Sequence, residues 1–124
     1  MGQSPVESIS AVTLLTTDMA RATTFYETLG FRRLYGGADA PFTSYQAGSG
    51  YLNLELDAGG RPLGRIWGRA IFWVDDVDAM HRRATDAGYE AETEPADASW
   101  GERYFHIRDP DGHELSFARP LDGP

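Results

Sequence analysis

The chain has 124 residues, a length that suits one domain with a single modest core. Its net charge of -8 opposes binding to nucleic acid, and the lack of cysteine excludes disulfides and a cysteine nucleophile. No apolar run is long enough to span a membrane, and residues 1–9 show no secretory signal, so we expect a cytoplasmic protein.

The first half of the chain predicts one strand, one helix and three further strands. Residues 8–16 are rich in β-branched and aliphatic side chains, which favours a strand. Asp18 follows as a helix N-cap, and Gly30 is expected to end the helix in the left-handed conformation. The buried face of this helix would consist of Ala22, Phe25, Tyr26 and Leu29. The three further strands are expected at residues 31–35, 43–47 and 51–57.

The second half repeats this plan after a linker at residues 58–68. Residues 69–75 predict a strand, Asp76 an N-cap and Gly88 a helix end. The buried helix face would consist of Val77, Met80, Ala84 and Ala87. Further strands are expected near residues 90–94, 103–108 and 114–119, with a loop at 95–102 that contains Trp100.

The two halves are copies of one unit. The capping aspartates, Asp18 and Asp76, are 58 residues apart, and each precedes its glycine by twelve residues. The chain, residues 1–124, is therefore one domain of two β-α-β-β-β units, residues 8–57 and 69–119. The architecture is α+β, with the helices on one face of the sheet and a candidate site in the cleft between the units.

Two motifs carry a resemblance to a known family. Residues 25–31 read FYETLGF, and residues 108–115 read RDPDGHEL, whose Asp-Pro-Asp-Gly segment predicts a tight turn. With the paired units, these motifs resemble the vicinal oxygen chelate superfamily, which includes glyoxalase I, extradiol dioxygenases and bleomycin-resistance proteins. The resemblance implies a U-shaped mixed sheet with a concave ligand cleft. It also implies a homodimer, for which Trp67 is a candidate contact.

Enzymes of that superfamily hold a divalent metal on four side chains, and the resemblance locates the equivalent positions. They are Ala11, Glu55, Arg69 and Ser116. Alanine cannot coordinate a metal and a guanidinium repels one, so we predict no metal and no cofactor. A shifted metal site made of Glu55, His106 and Glu114 remains an alternative.

Strand alternation divides the side chains between the core and the cleft. The core set is Leu52, Leu54, Leu56, Phe72, Val74, Phe105, Ile107, Leu115 and Phe117. The cleft set is Thr13, Tyr51, Asn53, Glu55, Arg69, Ile71, Trp73, Tyr104, His106, Glu114 and Ser116. Trp100-Gly101 resembles the Trp-Gly of bleomycin-resistance proteins and joins the candidate ligand-binding residues. We further expect Arg69 to pair with Glu55, and His81 and His113 to be solvated.

These residues support three hypotheses. The first is a metal-free protein that binds an aromatic small molecule and sequesters an antibiotic, with stacking by Trp73, Trp100 and Tyr104 and negative charge from Glu55 and Glu114. The second is a lyase, isomerase or dioxygenase-like enzyme, in which His106 or Glu55 is the base and Arg69 the electrophile. The third is a scaffold whose cleft is filled by its own side chains.

Overall fold

A computed structural model of the chain describes residue 5 and residues 9–57 and 69–121. Within these ranges it contains eight strands and two helices. In chain order they are β1 (Ala11–Thr16), α1 (Met19–Thr28), β2 (Arg32–Tyr35), β3 (Phe42–Ala47), β4 (Gly50–Leu56), β5 (Arg69–Trp73), α2 (Val77–Asp86), β6 (Ala96–Asp97), β7 (Glu102–Arg108) and β8 (Glu114–Pro120). The linker and Trp67 lie outside the described residues. Neither of the described helices has the length and apolar character needed to cross a bilayer.

The strands form two four-stranded mixed sheets of identical topology. Their orders are β1-β4-β3-β2 and β5-β8-β7-β6. The first strand of each unit runs parallel to the last, while the other neighbours are antiparallel. The predicted α+β fold of paired β-α-β-β-β units is confirmed. Among the described residues, the hydrogen bonding gives one sheet per unit.

Both helices begin and end as the sequence predicts. The side chain of Asp18 accepts a hydrogen bond from the backbone N–H of Arg21, and Asp76 does the same for Ala79. Gly30 and Gly88 have φ of 101° and 92°, in the left-handed region that glycine tolerates best. The predicted buried face of α1 is confirmed. That of α2 is only partly right, because Ala87 is the exposed C-cap residue.

The sixth strand differs from its prediction. It consists of Ala96–Asp97, inside the expected loop, whereas residues 90–94 contribute only an isolated bridge from Ala91. The reason is a side-chain hydrogen bond that interrupts the ladder: the backbone N–H of His106 donates to Oγ1 of Thr93 instead of a backbone carbonyl. The chain therefore leaves β7 before pairing with it again.

The core lies between the helices and the sheets and continues from one unit to the other. The predicted core set is buried, apart from Leu56, Phe72 and Val74, which are partly buried against it. Phe31, directly after α1, packs edge-on against Phe72 of β5, with ring centroids 5.2 Å apart. Phe72 stacks on Phe117 in turn. The two units therefore share one hydrophobic core.

A polar cluster at the 109–113 turn joins the second unit to the first. The Tyr26 hydroxyl, fully buried, donates to Oδ2 of Asp109 at 2.7 Å. Oδ1 of the same carboxylate accepts from the backbone N–H groups of Asp111 and His113, as expected for this turn. Burial raises the pKa of Asp109 and of Tyr26. We call this cluster of hydrogen bonds, formed by Tyr26 and the 109–113 turn, the 109–113 clamp.

The clamp also corrects the expectation that His113 is solvated. Its side chain is buried, and Nε2 lies 2.6 Å from the carbonyl oxygen of Leu15 at the end of β1. Beside it, Oδ1 of Asp111 accepts from the hydroxyl of Thr17 and from the guanidinium of Arg21 at 2.8 Å. His81 is half-buried, its ring edge-on to Phe105.

Candidate functional site

The candidate site residues fall into two groups on the two sheets. Tyr51, Asn53 and Glu55 lie on β4, and Trp100 lies in the loop before β7. The others lie on β5, β7 and β8; they are Arg69, Trp73, Tyr104, His106, Glu114 and Ser116. Among the described residues, no hydrogen bond or ion pair joins the β4 group to the second group.

The expected Arg69–Glu55 ion pair is wrong. Arg69 is in register with Glu114 on the neighbouring parallel strand, and its guanidinium lies 3.4 Å from Oε1 of that residue. It also donates to the carbonyl oxygen of Leu115 and to Oγ of Ser116. The guanidinium binds acceptors on the adjacent strand of its own sheet, whereas Glu55 belongs to the other sheet.

His106 and Ser116 form the polar centre of the second group. They are cross-strand partners on β7 and β8, and Nδ1 of His106 lies 2.7 Å from Oγ of the buried Ser116. Burial lowers the pKa of His106, and the positive charge of Arg69 lowers it further. The imidazole is therefore neutral at pH 7 and able to exchange a hydrogen bond or a proton with a ligand.

Two aromatic rings continue from His106 along the sheet. The Tyr104 ring centroid is 4.9 Å from that of His106, and the Trp100 indole stacks on Tyr104 at 5.7 Å and 30°. Trp100 is 68% exposed, and its Nε1 donates to Oε1 of Glu102, which fixes the ring. The side chains that follow one another in this way along the sheet are named the site row; they are Trp100, Tyr104, His106, Ser116 and Arg69.

Acidic groups at the arginine end of the site row are already neutralised. Glu114 accepts from Arg69 on one side and from Arg108 on the other, at 3.4 and 3.1 Å. Arg108 also binds Glu92 at 2.7 Å. Glu92 could not be predicted from the sequence, because its position opposite β7 depends on the irregular pairing of residues 91–93, which no periodicity indicates. Glu114 is thus a structural partner rather than a free negative charge.

The β4 group presents a second, more open surface. Tyr51 is 46% exposed, and the amide of Asn53 donates to Oγ1 of Thr13 on the neighbouring strand. Glu55 is exposed, and no hydrogen bond or ion pair reaches its carboxylate from the described residues. Its negative charge is therefore free to attract a cation or a donor group.

The residues present do not fit the divalent metal of the superfamily's enzymes. Ser116 already lies within hydrogen-bonding distance of His106 and Arg69, and that guanidinium would repel a cation. Glu55 is on the other sheet. Over residues 9–57 and 69–121, no group of three histidine or acidic side chains is close enough to hold a metal. This includes the alternative set of Glu55, His106 and Glu114.

A cavity in the described part of the chain lies elsewhere. It has a volume of about 620 Å³ and lies between the end of α1, the β3–β4 turn, β5 and α2. It shares only Ile71 and Trp73 with the predicted cleft set. The candidate functional site is the site row rather than this cavity, because the polar and titratable groups converge there.

Comparisons with known proteins identify the family. The model of the Glyoxalase/Bleomycin resistance protein/Dioxygenase superfamily matches residues 8–117. TioX from Micromonospora sp. ML1 is similar in structure, with a TM-score of 0.72 and 29% identity over 93% of this chain and 100% of that one. So is a bleomycin resistance determinant encoded on the transposon Tn5, with a TM-score of 0.72 and 25% identity over 92% and 98%.

Two further comparisons add less. Lactoylglutathione lyase from Agrobacterium tumefaciens has a TM-score of 0.73 and 22% identity over 93% of this chain and 95% of that one, which shows the fold alone. Curated mycobacterial proteins match at 44% identity over 48 residues, and the matched segment spans between 28% and 32% of their length. Because the family model covers most of the chain, the chain belongs to the glyoxalase/bleomycin resistance protein/dioxygenase superfamily.

Proposed function

We propose that the chain is a metal-free, homodimeric protein of the cytoplasm that binds and sequesters a planar aromatic small molecule, such as an antibiotic with an aromatic chromophore. The exposed Trp100 indole carries this proposal, because it stacks on Tyr104, whose ring in turn lies next to the neutral His106. A flat ligand can stack on the exposed indole, and a polar group of the ligand that extends along Tyr104 can reach the imidazole. The similarity to the Tn5 bleomycin resistance determinant supports the same class of ligand.

The expected binding energy is modest and measurable. Stacking on one indole contributes about 0.5–1.5 kcal/mol beyond the area it buries, so its loss weakens binding about tenfold. Isothermal titration with bleomycin and with an acridine intercalator should show saturable binding that Trp100→Ala weakens by that factor. Tyr35→Ala removes a ring that is equally exposed, at 66%, but lies on β2, and it should leave the affinity unchanged.

If neither bleomycin nor the acridine binds in the titration, the proposed ligand class is contradicted. Equal loss in the Trp100 and Tyr35 variants contradicts the placement of the ligand at the site row.

The homodimer is proposed from the apolar side chains that one chain leaves uncovered. Ile71 and Trp73 on β5 are 62% and 69% exposed, and Leu15 on β1 is 43% exposed. Within one chain, no hydrogen bond or ion pair between described residues joins the two candidate groups. A second copy that lays its first sheet against this second sheet would cover these side chains and complete a cleft from both groups.

Sedimentation velocity tests the dimer. Ile71→Asp places a charge on this surface and should shift the protein toward the monomer. Leu34→Asp is the matched control, because Leu34 is 46% exposed on β2, away from β5. A monomeric wild-type chain, or equal shifts in the two variants, contradicts the proposed interface.

A second candidate function is an enzyme of the lyase or isomerase type. The contact of His106 with Ser116, next to the guanidinium of Arg69, favours it, because a neutral imidazole beside a fixed cation can remove a proton from a carbon acid. Turnover of the methylglyoxal–glutathione adduct that is lost in His106→Gln would support this enzymatic function.

Elemental analysis tests the metal-free proposal. Stoichiometric metal that disappears in Glu55→Ala would contradict it.

A further inference from the structure

The two units meet at two places, which we call corners. In each corner the turn before the last strand of one unit faces the helix and first strand of the other unit, and the internal repeat makes the two corners equivalent. Ala11 is in register with Tyr51, and Arg69, which is 58 residues after Ala11, is in register with Glu114. Position 51 therefore corresponds to position 114. By the same ladders the β3–β4 turn corresponds to the 109–113 turn. One corner holds the 109–113 clamp, and the other holds the cavity of about 620 Å³.

At the second corner, small residues occupy the positions that correspond to large polar residues of the clamp. Ala47 corresponds to Asp109, and Gly50 to His113. Ala84, 58 residues after Tyr26, replaces the tyrosine whose hydroxyl reaches the clamp. The turn is also one residue shorter. Among the residues that the structure describes, none at these corresponding positions supplies a large side chain like that of Tyr26 at the first corner.

The walls of the cavity combine aromatic surface with unneutralised positive charge. Phe31, Phe72 and Trp73 supply the rings. The guanidinium of Arg32 donates to Oε1 of Gln46, and that of Arg83 donates to the carbonyl oxygen of Leu29, both neutral acceptors. None of the described residues that border the cavity is acidic. This is unusual in a chain with 19 acidic residues and a net charge of -8.

We propose that this cavity is a binding site for a small apolar anion, an aromatic or short alkyl carboxylate, separate from the site row. The carboxylate binds between the two guanidinium groups of Arg32 and Arg83, which present N–H donors suited to two carboxylate oxygens. The hydrocarbon part packs on Phe31 and Phe72, and the site does not require the face of Trp73 that a second copy would cover. The volume lies within the range of about 300–1,000 Å³ typical of small-molecule sites.

Octanoate is the probe, with octanol as its uncharged counterpart. Isothermal titration should show saturable binding of octanoate and at least tenfold weaker binding of octanol. Arg83→Gln should weaken octanoate about tenfold, because a charge-assisted hydrogen bond is lost. Arg82→Gln, an exposed position on the same helix that does not border the cavity, is the matched control and should bind octanoate like the wild type.

Ala47→Asp gives an independent test. It introduces the aspartate of the clamp at the equivalent position, where the carboxylate would offset one of the two positive charges and weaken octanoate binding at least tenfold. A thermal melt checks that each variant is folded. Absence of octanoate binding by the wild type, equal affinity for octanol, or the same loss in Arg82→Gln overturns the proposal. So does a change of sedimentation coefficient in Arg83→Gln without an effect on octanoate, which would assign the cavity to contact with a second copy.

Discussion

Removing one oxygen atom from the 109–113 clamp should measurably destabilise the fold. In Tyr26→Phe the ring stays in the core, but Oδ2 of Asp109 loses its donor at 2.7 Å. Asp109 is 4% exposed, so water cannot easily replace the hydroxyl. A hydrogen bond to a charged group contributes about 1.5–3 kcal/mol, so we expect the free energy of unfolding to fall by about 2 kcal/mol. At about 4 °C per kcal/mol for a domain of this size, Tm falls by about 8 °C.

Urea denaturation monitored by circular dichroism gives the free energy, and Tyr45→Phe is the matched control. Tyr45 is equally buried and its hydroxyl also donates to a carboxylate, at 3.1 Å. That acceptor, Glu27, has 37% of its side chain exposed, so water replaces the lost donor and the cost stays below about 1 kcal/mol. If Tyr26→Phe costs no more than this control, the clamp does not contribute to stability as a buried hydrogen bond.

Three further predictions concern pH and backbone conformation. Burial raises the folded-state pKa of Asp109, so the folded chain binds this proton more tightly than the unfolded chain. The free energy of unfolding of the wild type should therefore fall relative to that of Asp109→Asn as pH rises above about 4. Denaturation at a series of pH values tests this, and a difference between the two proteins that stays constant with pH would contradict it. The pKa of His106 followed by NMR should lie below 6.5 and rise in Arg69→Gln, so an unchanged midpoint would exclude the arginine as a cause. Gly36→Ala should destabilise more than Gly88→Ala in urea melts: both have positive φ, costing about 1–2 kcal/mol, but only at Gly36 would a Cβ meet a backbone carbonyl oxygen, at 2.2 Å.

The fold could be predicted because its signals are local. Asp18 and Asp76 cap helices through their own side chains, and Gly30 and Gly88 end them through their own φ angles. The alternation of apolar residues predicted the core for the same reason, since successive side chains of a strand point to opposite faces. Such signals need no knowledge of distant parts of the chain.

The contacts within the candidate site could not be predicted in the same way, because they depend on which strand lies next to which. Arg69 binds Glu114 because β5 and β8 are neighbours, whereas the metal-ligand positions implied by the family resemblance suggested Glu55. Burial of His113 depends on the end of β1, 98 residues earlier in the chain. The small residues at the second corner become visible in the sequence only once the strand registers show which described residues correspond.

The clamp has a consequence for how the chain folds and unfolds. Its hydrogen bonds join positions 83 to 98 residues apart, linking the first unit to the last hairpin. A chain made of two similar units could in principle unfold in two steps, one unit at a time. Here the first unit alone would leave the hydroxyl of Tyr26 without its acceptor Asp109 and Phe31 without the ring of Phe72. The repeat therefore does not divide the protein into autonomous halves, and it should unfold in one cooperative transition.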